Sequence, residues 1–246
     1  MLAILLPLSG YWIVKYYSKD AVHVPRHYFY DSITTIKGKP DTAWHKVKSI
    51  AFTNQMGKQV TLDDLKGKII VLDFFFSRCP SICPRLARSM KKLQDSFTKN
   101  ADIVQFVSVS IDPEHDSVQQ LRKFADRFNV DHDNWWFVTG NKKEVYNFAL
   151  NEIKASIADS EVDTAFIHTE NFFLLDSNHI VRGWYNGFDS VAQYRLVEDI
   201  PTLMLEKDKK SPSILREFIP YLPVIFIGIG IVILVMALLK RYKKQY

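Results

Sequence analysis

A chain of 246 residues with 47% hydrophobic and 24% charged side chains has the composition of a folded protein, long enough for one sizeable domain with appendages. That composition excludes a disordered chain. It also excludes a nucleic-acid footprint, because four of the five net positive charges are Lys240, Arg241, Lys243 and Lys244 at the extreme C-terminus and the rest is close to neutral.

In chain order, residues 2–14 are uncharged but short, carry Pro7 and Gly10, and have no Lys or Arg before them. They read as an uncleaved N-terminal signal anchor over residues 1–17, extended by Tyr16 and Tyr17, rather than as a removed signal. Residues 18–46 mix charge, aromatics, Pro25 and Pro40 without periodicity, which suits a juxtamembrane stalk. From residue 47 the pattern sharpens. Residues 50–62 have strand-like flanks around Gly57, a hairpin signal, and residues 69–76 form an apolar run suited to a strand buried on both faces.

Leu86, Met90, Leu93 and Phe97 recur at helical spacing over residues 84–98. A second buried strand is expected over 102–111, then a helix over 117–128 with Leu121, Phe124 and Phe128 on one face. This alternation implies a βαβ unit with a right-handed crossover. Strands at 170–175 and 179–185 flank the hairpin turn Asp176-Ser177-Asn178, and a closing helix spans 191–206. Residues 47–208 therefore read as one α/β domain, a central mixed sheet flanked by helices, and the order of elements resembles the thioredoxin fold.

Residues 218–239 hold no charge over 22 positions. At about 1.5 Å per residue they make roughly 33 Å of helix, enough to cross a bilayer. No polar face interrupts them, so a transmembrane helix is expected, and the basic tail 240–246 assigns the C-terminus to the cytoplasm. If both ends span, the domain lies on the extracytoplasmic side of a bacterial-type cytoplasmic membrane, where thiols can be oxidised.

Cys79 and Cys83 are the only cysteines, set where the apolar run gives way to a helix. A disulfide between them closes too short a loop to remove much chain entropy, so a purely structural bond is disfavoured. Two inert thiols packed as small hydrophobes are the plain alternative. A helix N-terminus favours thiolate over thiol. An i, i+4 pair on a helix faces one way with Cβ atoms about 5–6 Å apart. That spacing permits either a shared metal ion or, after modest adjustment, a redox disulfide, and it does not choose between them.

Cys79-Pro80-Ser81-Ile82-Cys83-Pro84 after a Phe-rich strand, Ile111-Asp112-Pro113 closing the second strand, and His168-Thr169 ahead of residues 172–176 together resemble the Sco/SenC family. The resemblance covers roughly residues 47–207. It implies a membrane-anchored thioredoxin-like protein of cytochrome c oxidase assembly, with copper held by Cys79, Cys83 and His168. The donor chemistry agrees: two thiolates and an imidazole are a soft set that suits Cu(I) and, with a weak extra ligand, Cu(II). Zinc ranks second, since structural zinc wants four closed ligands and no further cysteine exists.

The resemblance implies a copper metallochaperone whose partners are the copper-accepting oxidase subunit, a thiol reductant and the membrane. The competing function is a thiol-disulfide oxidoreductase that reduces the oxidase subunit's cysteines before metallation, with Cys79 and Cys83 as the redox pair. Asp73, six residues before Cys79, matches the buried acid that thioredoxins use as a base; the plainer reading is a carboxylate held by a hydrogen bond or a lysine. Against ordinary exchange, no proline lies between Thr164 and Glu170 to face the dithiol. Asp112 either positions a ligand or serves as a strand-end turn residue, and the turn is favoured. His23, His27, His45, His115, His132 and His179 are read as surface or packed residues.

Overall fold

The computed structural model describes Trp12 and residues 24–36, 38–155 and 170–206. The chain forms β1 (Tyr30–Ile36), β2 (Lys39–Trp44), β3 (Phe52–Asn54), β4 (Gln59–Val60) and β5 (Ile69–Phe75), then helix α1 (Ile82–Ser96) and β6 (Val104–Ser110). Helix α2 (Val118–Asp126), β7 (Trp135–Thr139), α3 (Lys142–Asn147), β8 (Asn171–Leu175), β9 (Val181–Asn186) and α4 (Ser190–Leu205) complete it. Seven strands share one mixed sheet in the order β4-β3-β7-β6-β5-β8-β9, and β1 and β2 pair only with each other.

The sheet centre follows from composition. Every residue of β5 and β6 is buried, as continuous β-branched and aromatic runs require of strands covered on both faces. β5 pairs parallel with β6 and antiparallel with β8, and β6 runs parallel to β7. Because Phe75 pairs with Ser110, β5 and β6 end side by side and the loops beyond them meet. In α1, Leu86, Met90 and Leu93 recur at i, i+4, i+7 and are buried. That helix starts two residues earlier than its periodicity predicts. Pro84 thus sits in the first turn, where its missing N–H costs nothing.

Three stretches differ from the sequence reading. β7 and α3 were not expected: each has at most six residues, too few for a periodic signal. Within the expected stalk, residues 30–44 form the β1–β2 hairpin, whose strands are mostly exposed and so show no hydrophobic alternation. His45 ties that hairpin down, with Nδ1 2.7 Å from Asp31 Oδ1 and Nε2 3.3 Å from Glu152 Oε2.

Arg182 on β9 is 2% exposed and joins the two ends of the described fold. Its guanidinium donates to Pro25 O at 2.6 Å, Asp176 Oδ2 at 2.9 Å and Glu206 Oε2 at 2.5 Å. Among the described residues no helix is long and apolar enough to cross a membrane. The expected spans at 1–17, Trp12 apart, and 218–239 lie outside the described residues.

Candidate metal centre

Cys79 and Cys83 sit where the parallel strands end, the usual position for function in an open α/β sheet. Both are reduced and buried. The two do not share a helix as the i, i+4 reading required. Cys79 lies in the loop after β5, and Cys83 is the second residue of α1. They still lie together: the backbone N–H of Cys83 donates to Cys79 Sγ at 3.3 Å, and the two thiol side chains hydrogen-bond to each other. Ser81, the residue at the helix cap, makes no side-chain capping bond, so the Cys79 sulfur serves as acceptor for one of the helix's orphan donors. Burial pushes the Cys83 thiol well up from its ordinary value; a backbone bond at Phe76 opposes this, and the neighbouring Cys79 and Asp73 add to it.

The loop bearing Cys79 is pinned from β6. Asp116, fully buried, accepts from the Ser77 backbone N–H at 3.1 Å, from the Ser77 hydroxyl, and from Ser110 Oγ at 2.5 Å. Next to Cys79, Arg78 donates to Asp112 Oδ2 through Nε at 3.0 Å and Nη2 at 2.7 Å. His115 Nδ1 lies 2.8 Å from Asp112 Oδ1 and 3.1 Å from Arg78 Nη2. The expectation for Asp112 is therefore corrected: besides ending the strand, it anchors the residue before Cys79. His115 likewise belongs to this network.

Asp73 is 2% exposed and its Oδ1 has no hydrogen-bond partner. Burial raises its carboxyl to about 7, and a hydrogen bond from Ser108, its neighbour across β5 and β6, only partly offsets this. No cation pairs with it among the described residues. Asp73 therefore has a hydrogen bond from Ser108 and, among the described residues, no lysine beside it.

His168 lies outside the described residues. Among those described, no group of three or more His, Cys, Asp or Glu side chains is placed to hold a metal, so the structure itself supplies two sulfur donors. Sequence reasoning missed Ser77, Ser110 and Asp116. Asp116 directly precedes the Ser117 cap of α2, and nothing in that pattern distinguishes a loop anchor from an ordinary helix lead-in. A cavity of about 1060 Å³ lies among Pro25, Trp184 and α4, and none of its lining residues belongs to the cysteine loop.

A mixed sheet with flanking helices and a facing pair of reduced cysteines at a helix start defines a thioredoxin-like dithiol protein. The SCO1/SenC family model matches residues 39–204, more than half of the chain, and the chain belongs to that family. It is 35% identical to the SCO1 protein homolog of Bacillus subtilis over 63% of this chain and 81% of that protein. A solved structure of BsSco, described as having a disulfide switch and as a member of the Sco family of cytochrome c oxidase assembly proteins, is 35% identical. It covers 66% of this chain and 95% of its own, with a TM-score of 0.60. Arabidopsis thaliana ScoI, solved with copper bound, shares the fold at 24% identity and a TM-score of 0.52, over 63% of this chain and 97% of its own.

Proposed function

We propose that this protein is a copper carrier for assembly of a respiratory cytochrome c oxidase, anchored in a bacterial-type cytoplasmic membrane with its α/β domain on the extracytoplasmic side. Cys79, Cys83 and His168 hold the copper, and the ion passes to the oxidase's copper-accepting subunit by exchange of ligands. A thiol reductant keeps the pair open to metal. The observation that carries this reading is the meeting of the two cysteines: the Cys83 backbone N–H donates to Cys79 Sγ, and the two thiols, unbonded covalently, are also hydrogen-bonded to each other. A paired soft donor set of this kind suits Cu(I), which tolerates low coordination. The uncharged run 218–239 and the basic tail support the anchor and its orientation.

Anaerobic Cu(I) titration of the protein with X-ray absorption tests the assignment, with two sulfur ligands and one nitrogen expected. His168→Ala should remove the nitrogen and weaken copper binding while both thiols stay reactive. Unchanged copper binding in that variant, or coordination dominated by oxygen, would defeat the ligand set.

A second reading is favoured by Asp73. A buried carboxyl held near 7 can take a thiol proton. In a thiol-disulfide exchange, Cys79 and Cys83 would give two electrons and two protons to a disulfide of the oxidase subunit and finish as a disulfide themselves. Asp73→Asn should slow that exchange and leave copper binding intact.

A further inference from the structure

We infer that a cationic groove beside the cysteines docks an acidic stretch of the protein that receives the metal. The groove holds about 550 Å³ between α1 and the connection from α2 to β7. Pro84, Arg88, Lys91, Lys92, Arg127 and Phe128 line it. Pro84 directly follows Cys83, so whatever occupies the groove lies against the turn that carries the dithiol. The identity of the partner rests on the carrier reading above.

Charge supports an anionic occupant. Lys91 is paired with Asp95 one turn on, whereas Arg88, Lys92 and Arg127 have no acidic partner among the described residues. α1 has no acidic residue in its first turn, so the positive end of its dipole, beside Cys83, is left uncompensated and has the same sign as the groove's side-chain charges. Dipole and cations together attract an anionic partner to this side of the helix. Phe128, half-buried, adds apolar surface to the groove wall.

Proximity favours a metal-exchanging protein over the bilayer: the groove begins at Pro84, directly after Cys83, where a docked partner reaches the turn that carries the dithiol.

The test uses the full chain in nanodiscs of neutral phosphatidylcholine and a fluorescent peptide of eight glutamates and one tryptophan, with a glutamine peptide as control. Glutamate-peptide binding should be strong at low salt, fall at about 0.15 M salt where charges are screened, and be absent for the glutamine peptide. Reversing three charges in R88E/K92E/R127E should weaken binding by about tenfold or more and flatten its salt dependence. The exposed lysines of K58E/K66E/K143E lie outside the groove, and this variant of equal net charge should bind nearly as the unaltered chain does. The milder R88Q/K92Q/R127Q keeps the test open if the reversal disturbs folding, and should show an intermediate loss. Equal losses in both reversal variants, or none in the groove variants, would overturn the proposal. So would groove variants that lose binding to anionic phosphatidylglycerol vesicles while still binding the peptide. Copper titration of the same samples separates the two claims: peptide binding with no copper binding leaves the groove standing and removes the carrier reading.

Discussion

Replacing Asp116 with Asn tests whether the cysteine loop is held from β6. The carboxylate is fully buried and accepts three hydrogen bonds, two from Ser77 and one from Ser110. Bonds to a charged acceptor contribute about 1.5–3 kcal/mol each. Asn keeps one acceptor oxygen and turns the other position into a donor, while the serine hydroxyls can rotate to meet it. A net loss equivalent to one or two bonds, about 2–4 kcal/mol, is expected. For a chain of this size that corresponds to a drop in Tm of roughly 5–15 °C, read by tryptophan fluorescence on heating. Because Ser77 lies two residues before Cys79, the same substitution should speed reaction of the buried thiols with a disulfide reagent in the native state, through local opening. A Tm within about 1 °C of the unaltered chain together with unchanged thiol labelling would refute the anchor, since about 0.5 kcal/mol is what an ordinary surface change costs.

Two further outcomes follow from the same region. Asp73 titrates near 7 in the folded chain against an ordinary 3.8, so the unfolded chain releases this proton first and Asp73 makes stability fall as pH rises from about 4 to 7. Asp73→Asn should remove that slope, gaining relative to the unaltered chain by on the order of 4 kcal/mol at most across the window. Urea unfolding at several pH values measures this, and parallel curves for the two proteins would count against the raised value. At Gly187 an added Cβ would lie 2.3 Å from Leu86 Cδ2 and 3.0 Å from Phe172 Cζ. Gly187→Ala must displace Leu86, three residues after Cys83, and should cost about 1–3 kcal/mol in chemical unfolding. Equal stability would show that α1 moves freely there.

The sequence alone determined much of this protein. The buried runs of β5 and β6, the apolar stripes of α1 and α2, and the hairpin at Asp176 each carry a local period that reports burial, so those elements were legible with ends shifted by a few residues. The short β7 and α3 and the exposed β1–β2 hairpin have no such period and were silent. Motif order likewise pointed to the family and to Cys79 and Cys83. What only the tertiary structure decided is which distant residues hold those cysteines. The parallel register of β5 with β6, Phe75 opposite Ser110, brings Asp116 to Ser77 and Asp112 to Arg78 across more than thirty residues of chain. Periodicity describes how one segment is buried, whereas side-chain partners between segments are set by strand pairing, and for that reason Asp112 read as a turn residue until its neighbour across the sheet was known.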